Sequence, residues 1–330
     1  MKTAAREVRP TAVLPAVRQM PPDFARKLGL TDSVAPSLAG YSVALDTSAL
    51  SNLLNAEDDL ITRFVGATRR QKATISFSYT VLFEVSSDAN VPAVFRRLQA
   101  FQRLQRELGP LLCLCLDHNE LIEAEARSWL RGPLAHEVDW SWLVQADRHE
   151  LQQVAAGMPE SHDFMSKKKQ ELFELDRGLH QYLLEKKGGQ FDPAQVFAVI
   201  VGADPPRADE MIIEKAAKFS NGVWSPERIV ADRMRFKATH VISHLVWRLQ
   251  LANCTDRQTA TSEQAQIFGR WRTQRKGFGE GVWYDSYIAG EAAYMDLLVS
   301  DDENQRWRCD FLRQRGLLSF KTMSLAEFIA

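Results

Sequence analysis

Long apolar runs are missing from this chain. Nowhere in its 330 residues is there a window near the roughly 18 consecutive apolar residues that a membrane-spanning helix needs. The opening "MKTAAREVRPTAVLPAVRQMPPDF" has no continuous apolar core of the kind a secretory signal carries, so the expected setting is cytoplasmic, with no membrane partner. Cysteine is also scarce. Cys113, Cys115, Cys254 and Cys309 form no CxxC pair and no metal-knuckle spacing, which excludes a disulfide framework and a zinc ribbon. An excess of one charge is absent too, since 41 basic and 42 acidic residues leave a net charge of −1. No bulk field then draws the protein to nucleic acid, and such a partner must be gripped by a local basic patch. Internal repeats and low-complexity tracts are likewise lacking.

Proline is concentrated at the start, with Pro10, Pro15, Pro21, Pro22 and Pro36 and little periodicity among them, so residues 1–40 are expected to be an extended arm. From Tyr41 the pattern alternates. Strands are expected at 42–46, 73–79 and 111–116, with helices at 48–55, 58–69, from Thr80, at 92–107 and from His118. Strands alternating with helices predict a parallel sheet covered on both faces, an α/β fold. Beyond about residue 131 the alternation stops and the pattern is mostly helical, with "VFAVIVGA" at 196–203 open to either assignment. Alternation returns near 281, with a helix at 285–295, a strand at 297–300, a helix at 304–314 and a last strand "LLSF" at 317–320. The expected organisation is an arm (1–40), an α/β domain in two parts (41–130 and 281–330) and a helical insertion between them (131–280).

Acids fall at four comparable places. Asp46, in "VALDTSAL", ends the first strand, where open α/β sheets bind ligands, and it is equally suited to cap the next helix. Glu84 lies among Val81, Leu82, Phe83 and Val85, where a carboxylate is costly unless paired or bound to a cation. Asp285 opens the predicted helix "DSYIAGEAAYM", and Asp301 and Asp302 follow the strand in "LLVSDDEN". Each has an ordinary alternative as a helix-start acid, a rim glutamate or a polar turn. Brought to one edge, they would repel strongly unless a cation neutralised them, and Mg2+ or Mn2+ suits an all-oxygen set. Such an ion can activate water and steady a leaving oxygen, so phosphodiester hydrolysis is the reaction class that follows.

The order "VALDTSAL", "TVLFE", "YDSYIAGEAA", "LLVSDDEN" and a closing strand resembles the PIN-domain nucleases, as found in bacterial toxin ribonucleases. The resemblance covers about 41–130 and 281–330. It implies a small Rossmann-like sheet with four acids at one edge, binding Mg2+ or Mn2+ and cutting RNA. Position by position, the four acids fall on Asp46, Glu84, Asp285 and Asp302, with Asp301 the competing register for the last and Ser48 and Ser300 the supporting hydroxyls. The separation of Glu84 from Asp285 is much longer than the family norm. What it implies is an endoribonuclease in a toxin or phage-defence setting, with an RNA substrate, an inhibitor or antitoxin protein and a homo-oligomer as candidate partners. The alternatives are a non-catalytic PIN-like scaffold for RNA or protein and a structure-specific DNA nuclease.

In the segment 269–285, Arg270, Arg272, Arg275 and Lys276 are interleaved with Trp271, Phe278 and Trp283, which suits a nucleic-acid strand approaching Asp285. A hydrated linker with buried tryptophans is the competing reading. His240 and His244 stand four apart but lack a third ligand, Asp88 lies one turn beyond Glu84, and Lys167, Lys168 and Lys169 read as a solvated helix face. Phosphotransfer through an aspartyl phosphate fits poorly. The haloacid-type pattern needs an aspartate at position 48, which is Ser48, and the receiver-type acid pair and lysine are not evident.

Overall fold

The computed structural model describes residues 30–34, 40–56, 58–127, 135–138, 140–203, 210–256, 258–272 and 281–330. Most of the expected arm, residues 1–29 and 35–39, lies outside that set, as do Arg275, Lys276 and Phe278.

Five strands run parallel. They are β2 (Tyr41–Leu45), β3 (Ala73–Ser78), β4 (Leu112–Cys115), β6 (Leu297–Val299) and β7 (Lys321–Met323), in the order β4-β3-β2-β6-β7. The central strands read as short apolar runs because both their faces are covered, and nearly every residue of β2, β3 and β6 is buried. At the β4 edge, β5 (Ala135–Val138) and then β1 (Leu30–Val34) add antiparallel to it and to one another. Neither was expected, since β1 sits in the proline-rich arm and β5 is four residues long.

Helices α1 (Thr47–Asn55) and α2 (Asp58–Gln71) join β2 to β3, and α3 (Tyr79–Ser86) and α4 (Val91–Leu108) join β3 to β4. Because these crossovers step the same way across the sheet, right-handed connections put α2 and α4 on one face. After β4 come α5 (His118–Ala126) and, beyond β5, α6 (Ser141–Gln145), α7 (Arg148–Ala156) and the long α8 (Met158–Lys187). They are followed by α9 (Pro193–Val201), α10 (Glu210–Phe219), α11 (Pro226–Ala231), α12 (Lys237–Asn253) and α13 (Ser262–Trp271). The chain then enters α14 (Gly281–Glu291), β6, α15 (Glu303–Arg313), β7 and α16 (Leu325–Ile329).

Three boundaries differ from expectation, and one assignment left open is resolved. Helix α3 is capped by Ser78, whose hydroxyl accepts from Val81 N, rather than by Thr80. The ambiguous 196–203 stretch is the body and end of α9. The last strand is Lys321–Met323, not the apolar "LLSF" before it. Leu318 and Phe320 are buried by packing, whereas the ladder to β6 is made by the more polar residues that follow. Helix α14 begins at Gly281, so Asp285 lies in its second turn and is not a helix-start acid.

The helices between β5 and β6 share the core of the sheet. Leu143, Leu151, Ile200, Val241, Leu245 and Phe268 belong to the same buried cluster as Val43, Ile75 and Leu298. Helix α12 has no side-chain cap of its own. Its first N–H groups, at Ala238 and Thr239, donate to the buried Glu125 carboxylate of α5 at 2.5 and 3.0 Å, and Tyr294 donates to the same group. A carboxylate at a helix N-terminus is favoured by both the free N–H groups and the dipole. Helix α12 packs closely on α14 at Gly290, where an added Cβ would lie 2.6 Å from Ile242 Cδ1 and also against Ile242 Cγ1. Gly290→Ala is therefore expected to cost about 1–3 kcal/mol in urea unfolding. Adding Ile242→Ala should make the pair less destabilising than the sum of the two single changes, and strict additivity would contradict this contact.

Candidate active site at the carboxyl edge of the sheet

Strands β2 and β6 are neighbours and end together. Asp46 N donates to Val299 O at 3.1 Å, which aligns Asp46 with Ser300 at one edge. The Asp46 carboxylate is buried and caps α1 through Ala49 N at 2.7 Å. It also accepts from the Ser48 hydroxyl at 2.9 Å and from the Ser300 hydroxyl at 2.5 Å. Ser48 Oγ in turn accepts from Asp301 N at 2.8 Å and Asp302 N at 3.2 Å. One hydroxyl therefore ties the turn after β2 to the turn after β6. Burial pushes the Asp46 carboxyl up to about 6, against the three hydrogen bonds and with some help from the charge of Asp301.

The neighbouring acids at positions 301 and 302 are used differently. Asp301 is occupied by its own structural bonds, with Oδ2 accepting from Asn52 Nδ2 at 2.7 Å and Oδ1 from Leu325 N at 2.9 Å. Asp302 caps α15 with Oδ1 alone, accepting from Asn304 N and Gln305 N, and its Oδ2 takes no hydrogen bond among the described residues. Of the two registers, Asp302 thus has the oxygen to spare.

Asp285 reaches the same edge from α14. Its backbone carbonyl accepts from Gln305 Nε2 at 3.1 Å, and Gln305 Oε1 lies 3.1 Å from Ser300 Oγ. Its side chain, 31% exposed, makes no hydrogen bond among the described residues and has Arg308 Nη1 3.8 Å from Oδ2. Burial pushes this carboxyl to about 8; Arg308 opposes the rise, and the negative charges of Asp302, Asp46 and Glu84 add to it. The three other expected acids are therefore near enough to act on Asp285 together.

Glu84 is turned to other partners. Its Oε2 accepts from Thr47 Oγ1 at 2.7 Å, and its Oε1 lies 2.7 Å from Lys169 Nζ on α8. Among the described residues no group of three or more His, Cys, Asp or Glu side chains is gathered as it would be around a metal ion.

The flanking basic stretch divides. Arg270 is half-buried and paired with Glu303 at 2.7 Å. Arg272 is buried and spends its guanidinium on the carbonyls of Ala252 and Thr255, so it is not offered to a phosphate. Trp283 is buried beside Ile242 and Val246 and presents no face for a base to stack on. These two expected contacts are corrected to structural roles, and the tryptophans of the competing reading, Trp271 and Trp283, are indeed buried. Asp88 pairs with Arg97 at 3.2 Å. His240 and His244 pack edge to face, and His244 Nδ1 lies 2.5 Å from Arg248 Nη1 inside α12. None of the four cysteines is in a disulfide; Cys113 is half-buried and the other three are buried.

Several residues were missed. Asp117 follows "LCLCL" as Asp46 follows "YSVAL", and that repeated strand-then-aspartate signal would have found it; it caps α5 through Asn119 N and Glu120 N. Gln305 and Arg308 gave no signal in the sequence, and Lys169 read as part of a solvated helix face. Comparison of the chain with protein-family models, curated proteins and solved structures gave no match. Among the described residues, no helix is long and apolar enough to cross a membrane.

A carboxyl whose folded pKa lies above its unfolded value costs stability as pH rises between the two, because the folded state then holds the extra proton. For Asp285 that window runs from 3.8 to about 8. In a chelating buffer, Asp285→Asn should gain on the wild type by on the order of 1–3 kcal/mol between pH 5 and pH 8.5. Urea unfolding at both pH values checks this, and a difference that does not change with pH would contradict it.

Proposed function

We propose that the chain is a Mg2+- or Mn2+-dependent endoribonuclease of PIN-like architecture, with the helices α6 to α13 as an insertion in the catalytic unit, shorter than the expected 131–280 because β5 belongs to the sheet. The observation that carries this reading is that Asp46, Asp302 and Asp285 are tied together at one sheet edge through Ser48, Ser300 and Gln305, with the charges of Asp302, Asp46 and Glu84 helping to push the Asp285 carboxyl up. Four carboxylates at the carboxyl edge of a parallel sheet, two of them pushed up by burial, form an arrangement that a cation would relieve.

The donor set fits such an ion. It is all oxygen, as hard divalent cations require, and both Asp285 oxygens and Asp302 Oδ2 are free of hydrogen bonds among the described residues. Asp46, Asp285, Asp302 and Glu84 would hold the ion, and Asp301 is committed to Asn52 and Leu325. When bound, the ion supplies the Lewis-acid chemistry of phosphodiester hydrolysis. The chain supplies the rest. Ser48 and Ser300 fix the rotamer of Asp46, Gln305 links Ser300 to the backbone of Asp285, and Arg308 holds positive charge beside Asp285, where a phosphate would approach. Arg270, with Arg275 and Lys276 outside the described residues, remains a candidate for gripping the RNA strand.

Cleavage of a single-stranded RNA in Mg2+ or Mn2+ tests this reading. Asp46→Asn and Asp285→Asn are expected to lower the rate by more than about a hundredfold while the variants stay folded by circular dichroism. Folded variants that cut at the wild-type rate would overturn the mechanism. Growth arrest on expression, relieved by Asp46→Asn, would favour the toxin or phage-defence setting.

A further inference from the structure

Helix α8 reaches the acidic edge from outside the sheet. It is 30 residues long, about 45 Å at the usual rise, and much of its surface is solvated. Its first half is anchored, with Met158, Ser161 and Met165 buried and Phe164 packed edge-on against Phe83 of α3 with ring centroids 5.9 Å apart. Lys169 lies one turn beyond Met165 and so shares its face. That placement brings its ammonium to Glu84, the neighbour of Phe83, at 2.7 Å, and to 5.9 Å from the centre of the Tyr284 ring, the neighbour of Asp285. Both partners are largely shielded, Lys169 being 29% and Glu84 17% exposed, which sets this pair apart from a solvated lysine on a helix face.

Resting on the divalent-cation reading above, we propose that Lys169 is a tethered counter-cation that competes with the divalent ion for Glu84. Its ammonium takes the Glu84 Oε1 that the ion would use, and Thr47 holds Oε2, so both oxygens of the carboxylate are already engaged. Loading the site then exchanges one positive charge for two and releases Lys169. The released ammonium is still held within reach of the edge by the Phe164–Phe83 and Met165 anchors, and it is free to meet a phosphate. The helical segment thereby sets the cation affinity of the site as well as covering the sheet.

Mn2+ binding to the full chain, measured by calorimetry without RNA, tests the proposal separately from activity. Lys169→Gln should bind Mn2+ about three- to tenfold more tightly than the wild type. In a Glu84→Gln background the same change should have no effect, because the contested oxygen is gone. Equal or weaker binding by Lys169→Gln, or a gain that persists with Glu84→Gln, would overturn the competition. If binding is lost in Asp46→Asn under those same conditions, the metal-site reading stands while this inference falls. Absence of Mn2+ binding in the wild type and all variants, or binding unaffected by Asp46→Asn, would overturn both. Lys169→Met, which keeps the aliphatic stem, should behave as Lys169→Gln does, and thermal unfolding establishes that each variant is folded.

Discussion

A buried aspartate shared between two strands organises this molecule. Asp46 ends β2, yet one of its hydrogen bonds comes from Ser300, 254 residues later at the end of β6. A carboxylate this deep is tolerated only if its oxygens are satisfied, and Ala49 N, Ser48 and Ser300 do that. Ser48 also receives the backbone of residues 301 and 302, so the turn that caps α1 and the turn that caps α15 are built on one another. The consequence is topological. The chain must return after a long detour and insert β6 beside β2, with β7 beyond it, before the edge is complete.

The detour is more than a connection. Helix α12 starts on the Glu125 carboxylate of α5 and packs against α14 at Gly290, and α14 carries Asp285. Buried Arg272 and Arg308 complete the bracket, the first clamping carbonyls at the end of α12, the second donating to the carbonyls of Arg270 and Arg272 while facing Asp285. The height and angle of Asp285 over the sheet edge are therefore fixed by helices far from it in sequence. Any chemistry at the edge inherits the stability of that packing.

Much of this was legible in the sequence where one local rule dominates. The apolar runs of β2, β3, β4 and β6, short and bounded by turn and cap residues, read as buried strands, and Asp46 is both the cap and the edge residue its setting suggested. The carboxylates near Asp285 were also named, because each follows a strand or lies in an apolar helix. Legibility failed where tertiary context overrides the local signal. Strand β7 is only half-buried, less apolar than its neighbours, and fixed by its ladder to β6, while the more apolar "LLSF" before it packs as a loop. Trp283 and Arg272 looked like a nucleic-acid grip because aromatic and basic residues read the same way whether they face solvent or fill a core. Lys169 looked solvated because nothing in its own helix announces Glu84, more than eighty positions earlier.

The central claim is that Asp46, Asp285 and Asp302 meet at one cation. Anomalous diffraction from Mn2+-soaked crystals tests it most directly. A peak is expected at the carboxyl edge between β2 and β6, within about 2.5 Å of oxygens from Asp46 and Asp285. An ordered edge with no peak there, or Mn2+ bound only elsewhere while Asp285 stays on Arg308, would contradict it.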